Sequence, residues 1–462
     1  MRHRTALIAA LFLLALSCGK GLNQGGTNGA GNGEGSGESD GSNGSGGGSG
    51  SGSGTLGDIS SSPASGSHYA VLTVAGSGFE SSSTVTIGGV SCAKVSTTES
   101  QIICTIGAHT PGVADVVVTQ GEQTKTLTNA FTYKAYLYVA TSSSDKIDQF
   151  EITSSGALTA LSEGPLSASG SPSVLIHPSN TSTVFGLNLT TPSLSAYGIT
   201  ATGAISELAG SPTTIAITNR NFVVPSGGGI LYQAFGTTGS SPTEITSFIS
   251  QLDGSLSQAN TAGTGRSAMD VIISPDGTSL YSTLGGGSPS LAGYQVGSGG
   301  SMIDHATGYS LVTSPGNIAI SNDGAFVFQV DLFNNIIVSA PRNSSTGVLG
   351  SGTSTSFPNP TNTSLQVHPT KRCLYILDSV SNSGRILVWD ATTGELSDLA
   401  SSMFSTGAGP THMAFDPGVS FAFVSNGSGN VLSRYSIASD CKLTVLGSGQ
   451  TTDTGPSGIA VH

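Results

Sequence analysis

A phrase repeated seven times constrains this chain more than any other feature. Gly156-Ala157-Leu158, Gly203-Ala204-Ile205, Gly254-Ser255-Leu256, Gly300-Ser301-Met302, Gly347-Val348-Leu349, Gly394-Glu395-Leu396 and Cys441-Lys442-Leu443 recur at intervals of 46 to 51 residues. A second phrase keeps the same interval. It is an apolar run ending in a turn, as in Val174-Leu175-Ile176-His177-Pro178, Leu365-Gln366-Val367-His368-Pro369 and Met413-Ala414-Phe415-Asp416-Pro417. Two more short runs lie between them, such as Tyr136-Leu137-Tyr138-Val139 and the aromatic-bearing Val388-Trp389. A unit this short cannot bury its own apolar face, so the copies must stack on one another. Four strands per unit and seven units predict a seven-bladed β-propeller over 135–462. The first unit lacks an innermost strand, and Gly458 to Val461 supplies one. Pairing the two ends in one blade closes the ring and removes an aggregation-prone edge.

Upstream, 58–134 has a different texture. Val71-Leu72-Thr73-Val74, Thr84-Val85-Thr86-Ile87, Gln101-Ile102-Ile103-Cys104, Asp115-Val116-Val117-Val118 and Ala130-Phe131-Thr132-Tyr133 read as short strands parted by glycine-rich turns. That pattern predicts a small sandwich. The order of Val74-Ala75-Gly76-Ser77-Gly78-Phe79, Val85-Thr86-Ile87-Gly88-Gly89 and the closing Ala130-Phe131-Thr132-Tyr133 resembles the IPT/TIG family of immunoglobulin-like domains. Phe79 and Phe131 are then core anchors. The fold class expected is all-β, an immunoglobulin-like β-sandwich followed by a seven-bladed β-propeller closed by the C-terminal strand.

The first residues read as an address. Arg2, His3 and Arg4 precede an apolar run from Ala6 to Leu16, too short to span a bilayer and suited to a signal peptide over 1–17. Ala15-Leu16-Ser17-Cys18-Gly19 resembles a bacterial lipobox, with Ala15 where the usual pattern has Leu. The resemblance implies lipidation at Cys18, an anchor in the cell envelope, and attachment to the outer membrane, since Gly19 is not the Asp that retains some lipoproteins at the inner membrane. Residues 18–57 are then a tether of Gly, Ser and Asn with almost no apolar side chain, expected to be disordered.

Composition narrows the function. Charged residues are only 9% of the chain, with 27 acidic against 15 basic and a formal charge of −12. That balance opposes nucleic-acid binding, which needs clustered Lys and Arg against phosphate. Five cysteines fit an oxidising compartment. With Cys18 lipidated, Cys92 and Cys104 on neighbouring sandwich strands are expected to be bridged. Cys373 and Cys441 sit toward the same rim of adjacent blades, and a bridge there requires Cα atoms within about 7 Å. No Cys-x-x-Cys or His-rich spacing points to a metal, and no cofactor is expected.

The repeat grammar, Pro-Ser-x-Ile leading to a turn and Leu-Tyr-Val, resembles the lactonase-like propellers, a family of 6-phosphogluconolactonases and many non-enzymatic surface proteins. Gly409-Pro410-Thr411-His412-Met413-Ala414-Phe415 is similar to the Gly-Pro-Arg-His stretch of the lactonases, but Thr411 stands where their Arg would hold an anionic group. A hydroxyl cannot replace a bidentate guanidinium. His412 begins an innermost strand beside the central channel and is the foremost candidate. Asp145, Asp331 and Asp378 fall at the loops between second and third strands, on a face where propellers bind ligands. Their other reading is turn capping. His177, His368 and His462 share one turn register and are expected to be spread one per blade around the ring. No nucleophile elbow is present, so no catalytic residue is assigned. These features describe a non-enzymatic envelope lipoprotein that binds a protein or glycan. The rivals are a lactone hydrolase and a structural envelope component. Convergence of His412 with Arg220, Arg266, Arg385 or Glu395 would favour the hydrolase.

Overall fold

The computed structural model describes residues 54–168, 170–215, 221–235, 243–305, 308–356 and 363–462. Residues 1–53, where the expected signal segment, Cys18 and most of the expected tether fall, and Arg220 lie outside these residues. No helix among the described residues is long and apolar enough to cross a membrane.

The sandwich is built from strands of alternating burial. In Val71–Ala75 the side chains of Leu72 and Val74 are buried while their neighbours turn outward, and Gln101–Thr105 buries Ile102 and Cys104 in the same way. The period of two places every second residue on the core face. Phe79 and Phe131 are both in that core. The long strand Val90–Thr98 pairs with Thr84–Ile87 at one end and with Gln101–Thr105 at the other, so it carries the chain from one sheet to the next. Cys92 and Cys104 are bridged, with Cα atoms 5.4 Å apart. One boundary moves. Residues 54–57, expected in the tether, run along the sandwich. Leu56 is 4% exposed in its core, and the Gly54 and Leu56 N–H groups donate to Glu80 and Gln123. One leucine at the end of a glycine run finds an apolar slot, which the tether's composition does not reveal.

Seven blades of four antiparallel strands follow. The innermost strands are Pro172–Ile176, Asn221–Val223, Ala268–Ile273, Pro315–Ile320, Thr363–Val367 and Pro410–Phe415 for blades 2 to 7. Blade 1 takes its innermost strand from Pro456–Val461, which pairs with Ala135–Thr141 through Ile459↔Val139, Ala460↔Tyr138 and Val461↔Leu137. The ring is therefore closed by joining its two ends. The second strands are its most buried layer, with all seven residues of Ala135–Thr141 and all six of Phe326–Asp331 inside. Such continuous apolar runs belong to strands covered on both faces.

The repeated glycine also finds its cause. Gly156, Gly203, Gly254, Gly300, Gly347 and Gly394 all have φ between 70° and 86°, and Cys441 has φ 72° in the seventh copy. A Cβ on Gly203 would lie 2.2 Å from the ring of Tyr136, and one on Gly394 would lie 2.4 Å from Phe326. Gly156, Gly203, Gly300, Gly347 and Gly394 thus sit against the first residues of the preceding blade's second strand, while Gly254 sits against Leu208 and Ala196 of blade 2. Blade 6 has Cys373 at that place, and it is bonded to Cys441 across a Cα separation of 6.5 Å.

The sandwich touches the propeller at the turns that follow the innermost strands. Thr110 Oγ1 meets Ser420 Oγ at 2.6 Å, and Ser67 Oγ meets His462 Nε2 at 2.8 Å.

Candidate functional site

Five innermost strands carry a bulge at the same place. Register shifts fall between Pro172 and Val174, Ala268 and Val271, Pro315 and Ile318, Pro410 and His412, and Pro456 and Ile459. A bulge re-aims side chains out of the pleat. Here the re-aimed residues, Ser173, Asp270, Asn317, Thr411, His412 and Ser457, line one cavity of about 520 Å³ at one end of the central channel, with Asn221 beside them. Leu189, Leu332 and Pro315 form its apolar part.

Asp270 organises one side. Its Oδ1 accepts from Asn221 Nδ2 at 2.5 Å and from Val271 N at 2.9 Å, and its Oδ2 accepts from Ile318 N at 3.3 Å. Asn317 Nδ2 completes the set at 3.5 Å. One carboxylate thereby ties the innermost strands of blades 3, 4 and 5. Burial pushes its carboxyl above the ordinary range, against those four donors. His412 lies across the channel on blade 7. Burial lowers the proton affinity of its imidazole, opposed by the Ser457 carbonyl, so the ring is neutral at pH 7. No hydrogen bond among the described residues closes on its buried Nδ1. Thr411 is engaged elsewhere. Its hydroxyl meets Ser425 Oγ at 2.8 Å and donates to the Ser457 carbonyl at 3.3 Å, tying blade 7 to blade 1.

The other candidates do not converge here. Asp331 is 1% exposed and caps its own turn by accepting from the N–H groups of Phe333 and Asn334, while Thr313 donates to its other oxygen. Burial would raise this carboxyl, but those donors outweigh it and bring it down to about 2. Asp378 caps the matching turn of blade 6 through Val380 N and Ser381 N. Asp145 has φ 51° and accepts from Ser171 N at 2.8 Å, which pins the loop entering blade 2. Asn382 and Asn430 make the same contact to Gly409 N and Gly455 N. Arg385 pairs with Asp398 on the outer side of blade 6, and Arg266 donates to the Gly286 carbonyl. Neither these nor Glu395 lines the cavity. His177, His368 and His462 do serve turns, one each in blades 2, 6 and 1, but two of them meet. His177 and His462 are 3.0 Å apart, because the closing strand places His462 in blade 1, beside His177 of blade 2.

Sequence reading missed Asp270, Asn221 and Asn317. The residue after the proline in Pro172-Ser173, Pro315-Gly316, Pro410-Thr411 and Pro456-Ser457 was the usable signal, since it marks the bulge in four blades.

A closed seven-bladed ring with a polar channel mouth, preceded by an immunoglobulin-like domain, defines the class. The IPT/TIG domain family matches residues 58–133. No curated protein matches the chain. Among solved structures, it is similar to the periplasmic gluconolactonase of Pseudomonas aeruginosa, with 18% identity, a TM-score of 0.59, and 71% of this chain and 99% of that one covered. A putative 6-phosphogluconolactonase of Bacteroides uniformis is similar at 16% identity and a TM-score of 0.60, with 71% and 99% covered. A protein from Lactobacillus plantarum gives 17% identity and a TM-score of 0.60 over 71% and 99%. The propeller fold resembles that of the lactonases.

Proposed function

We propose that this chain is a non-enzymatic envelope lipoprotein, anchored through Cys18, whose propeller binds a small uncharged polyhydroxylated ligand, such as a glycan end, in the channel mouth. The observation behind it is the polar lining. It offers amides from Asn221 and Asn317, hydroxyls from Ser173 and Ser457, and the neutral His412 ring, while Asp270 is already filled with donors. No Arg or Lys stands among the described residues lining it. Neutral donors and acceptors on a rigid frame suit hydroxyl groups. Among the described residues a phosphorylated or carboxylated substrate would meet no cation there to offset its desolvation.

The likeness to lactonases supports the rival reading, and one experiment separates the two. The protein is titrated calorimetrically with neutral saccharides of the bacterial surface and assayed in parallel on gluconolactone and 6-phosphogluconolactone. The expected result is saturable saccharide binding that His412→Ala weakens about tenfold or more, equivalent to one lost hydrogen bond at a desolvated site. Lactone turnover by the natural protein, lost in His412→Ala, would replace this reading with the enzymatic one. Arg220→Ala is carried alongside, as that residue adjoins Asn221 in sequence.

A further inference from the structure

Three imidazoles meet where the propeller closes and where the sandwich touches it. His68 follows the short sandwich strand Ser65–Gly66, His177 stands in the turn after blade 2's innermost strand, and His462 follows the ring-closing strand. They wall one small cavity together with Phe415 and Pro417 of blade 7.

Their hydrogen bonds fix the protons. His177 Nε2 lies 2.9 Å from the Thr181 carbonyl, which can only accept, so His177 carries its proton on Nε2. That same N–H faces His462 Nδ1 at 3.0 Å. His462 Nδ1 is therefore bare, its proton is on Nε2, and Nε2 donates to Ser67 Oγ at 2.8 Å. A chain of neutral groups thus runs from the sandwich through His462 to blade 2. The other groups around it are few. The Tyr136 ring stacks 6.4 Å from His462, and His68 stacks on Tyr69 at 3.8 Å. Asp416 of blade 7 accepts from Gly418 N, Ser420 N and Phe421 N of its own loop and also meets the Thr110 side chain of the sandwich. No carboxylate among the described residues pairs with any of the three rings.

We propose that this trio is an acid-sensitive latch between sandwich and propeller: a proton on His462 Nδ1 sets two N–H donors face to face, breaks the His462–His177 link that holds the His462 ring beneath Ser67, and places positive charge against His68 in the shared cavity, so that the sandwich undocks. Burial first, then the neighbouring imidazoles, hold His462 down to about 3 and His68 to about 4, and burial lowers His177 as well. Undocked imidazoles return to about 6.5. The docked state thus binds fewer protons than the undocked one, so docking is at full strength above about pH 6.5 and weakens as pH falls toward the docked values. At the other contact Thr110 meets Ser420 and also the Asp416 carboxyl, whose proton affinity burial raises. His68 and Ala108 of the sandwich also wall a cavity of about 440 Å³ with the ends of innermost strands of blades 1, 2, 6 and 7. Undocking opens that end of the channel, so the latch would control access from the side opposite His412's cavity. This inference does not depend on what the channel binds.

The test is amide hydrogen exchange on the full chain between pH 7.5 and 4.5, corrected for intrinsic rates. Segments 64–70 and 106–112 are expected to lose protection by on the order of tenfold by pH 5, while second strands far from the seam stay protected. His462→Gln keeps a donor toward Ser67 and an acceptor toward His177 but cannot titrate, so its seam should hold protection across the range. His177→Gln is the second variant, with the same expectation should the first not fold. Unchanged seam protection in the natural protein overturns the proposal. So does loss of protection everywhere at once, or an acid response in the variants equal to the natural one.

Discussion

At the scale of single residues, one hydroxyl repeats a task around the ring. Tyr138 donates to the Gly203 carbonyl at 2.6 Å, Tyr281 to that of Gly347, and Tyr375 to that of Cys441 at 2.9 Å. Each tyrosine belongs to a second strand and reaches the glycine turn of the next blade. The two repeated phrases seen in the sequence are therefore the two halves of one inter-blade contact. Tyr232 holds the same register in blade 3, is fully buried, and its hydroxyl has no partner among the described residues. Removing one partner of a buried hydrogen bond strands the other, whereas removing an unpaired polar atom relieves a penalty. Tyr138→Phe should cost about 1–2 kcal/mol. Tyr232→Phe should cost far less or add stability. Thermal unfolding of the two variants side by side decides this, and equal losses would show that the tyrosines act only by packing.

At the scale of elements, the disulfide between blades 6 and 7 replaces a contact that other blades make with an aromatic ring and a glycine. Cys441 accepts φ 72°, a conformation that disfavours any residue with a Cβ, in order to reach Cys373. Two opposed terms follow for substitutions there. Any change of Cys441 removes a cross-link closing 68 residues, worth about 4 kcal/mol at most by chain entropy. Gly then regains about 1 kcal/mol over Ala because it tolerates the backbone. Cys441→Gly should melt above Cys441→Ala, and Cys373→Phe with Cys441→Gly should recover more, rebuilding the Phe326–Gly394 pairing. A double variant no better than Cys441→Gly alone would refute that equivalence. The strands and the glycine turns were legible because apolar runs and a fixed interval survive in any copy. The bulges were not. Thr411 and His412 look like ordinary strand residues, and only the pairing of Pro410 with Asn426 and of His412 with Ser425 reveals the extra residue. His412 could be suspected only because it stands in a stretch similar to the Gly-Pro-Arg-His of the lactonases, while Asp270 stands in none.

At the scale of the whole molecule, ring closure and sandwich docking meet at the same few residues. Their partners are far apart in the chain: Ser67 and His462 are separated by 395 positions. Closure was legible because blade 1 visibly lacked a strand. Docking was not, since Thr110, Ser420 and His177 have the composition of solvent-facing turns until the two surfaces are brought together. The closing strand Pro456–Val461 carries a load that no internal strand carries, because it alone joins first blade to last. Its loss would uncover Ala135–Thr141, a strand buried over its whole length, and an exposed apolar edge templates association with other chains. It would also remove the main-chain pair in which Tyr136 and His462 each donate to the other's carbonyl at 2.8 Å. Deleting 458–462 should therefore do more than lower the melting temperature. It should convert one cooperative unfolding transition into two or more, as blades at the open ends melt before the rest, and yield oligomers on size exclusion. The sandwich, whose core is its own, should keep its own transition. Calorimetry of the truncated chain showing a single propeller transition in a monomer would mean that neighbouring blades suffice and that the ring is stable without its clasp.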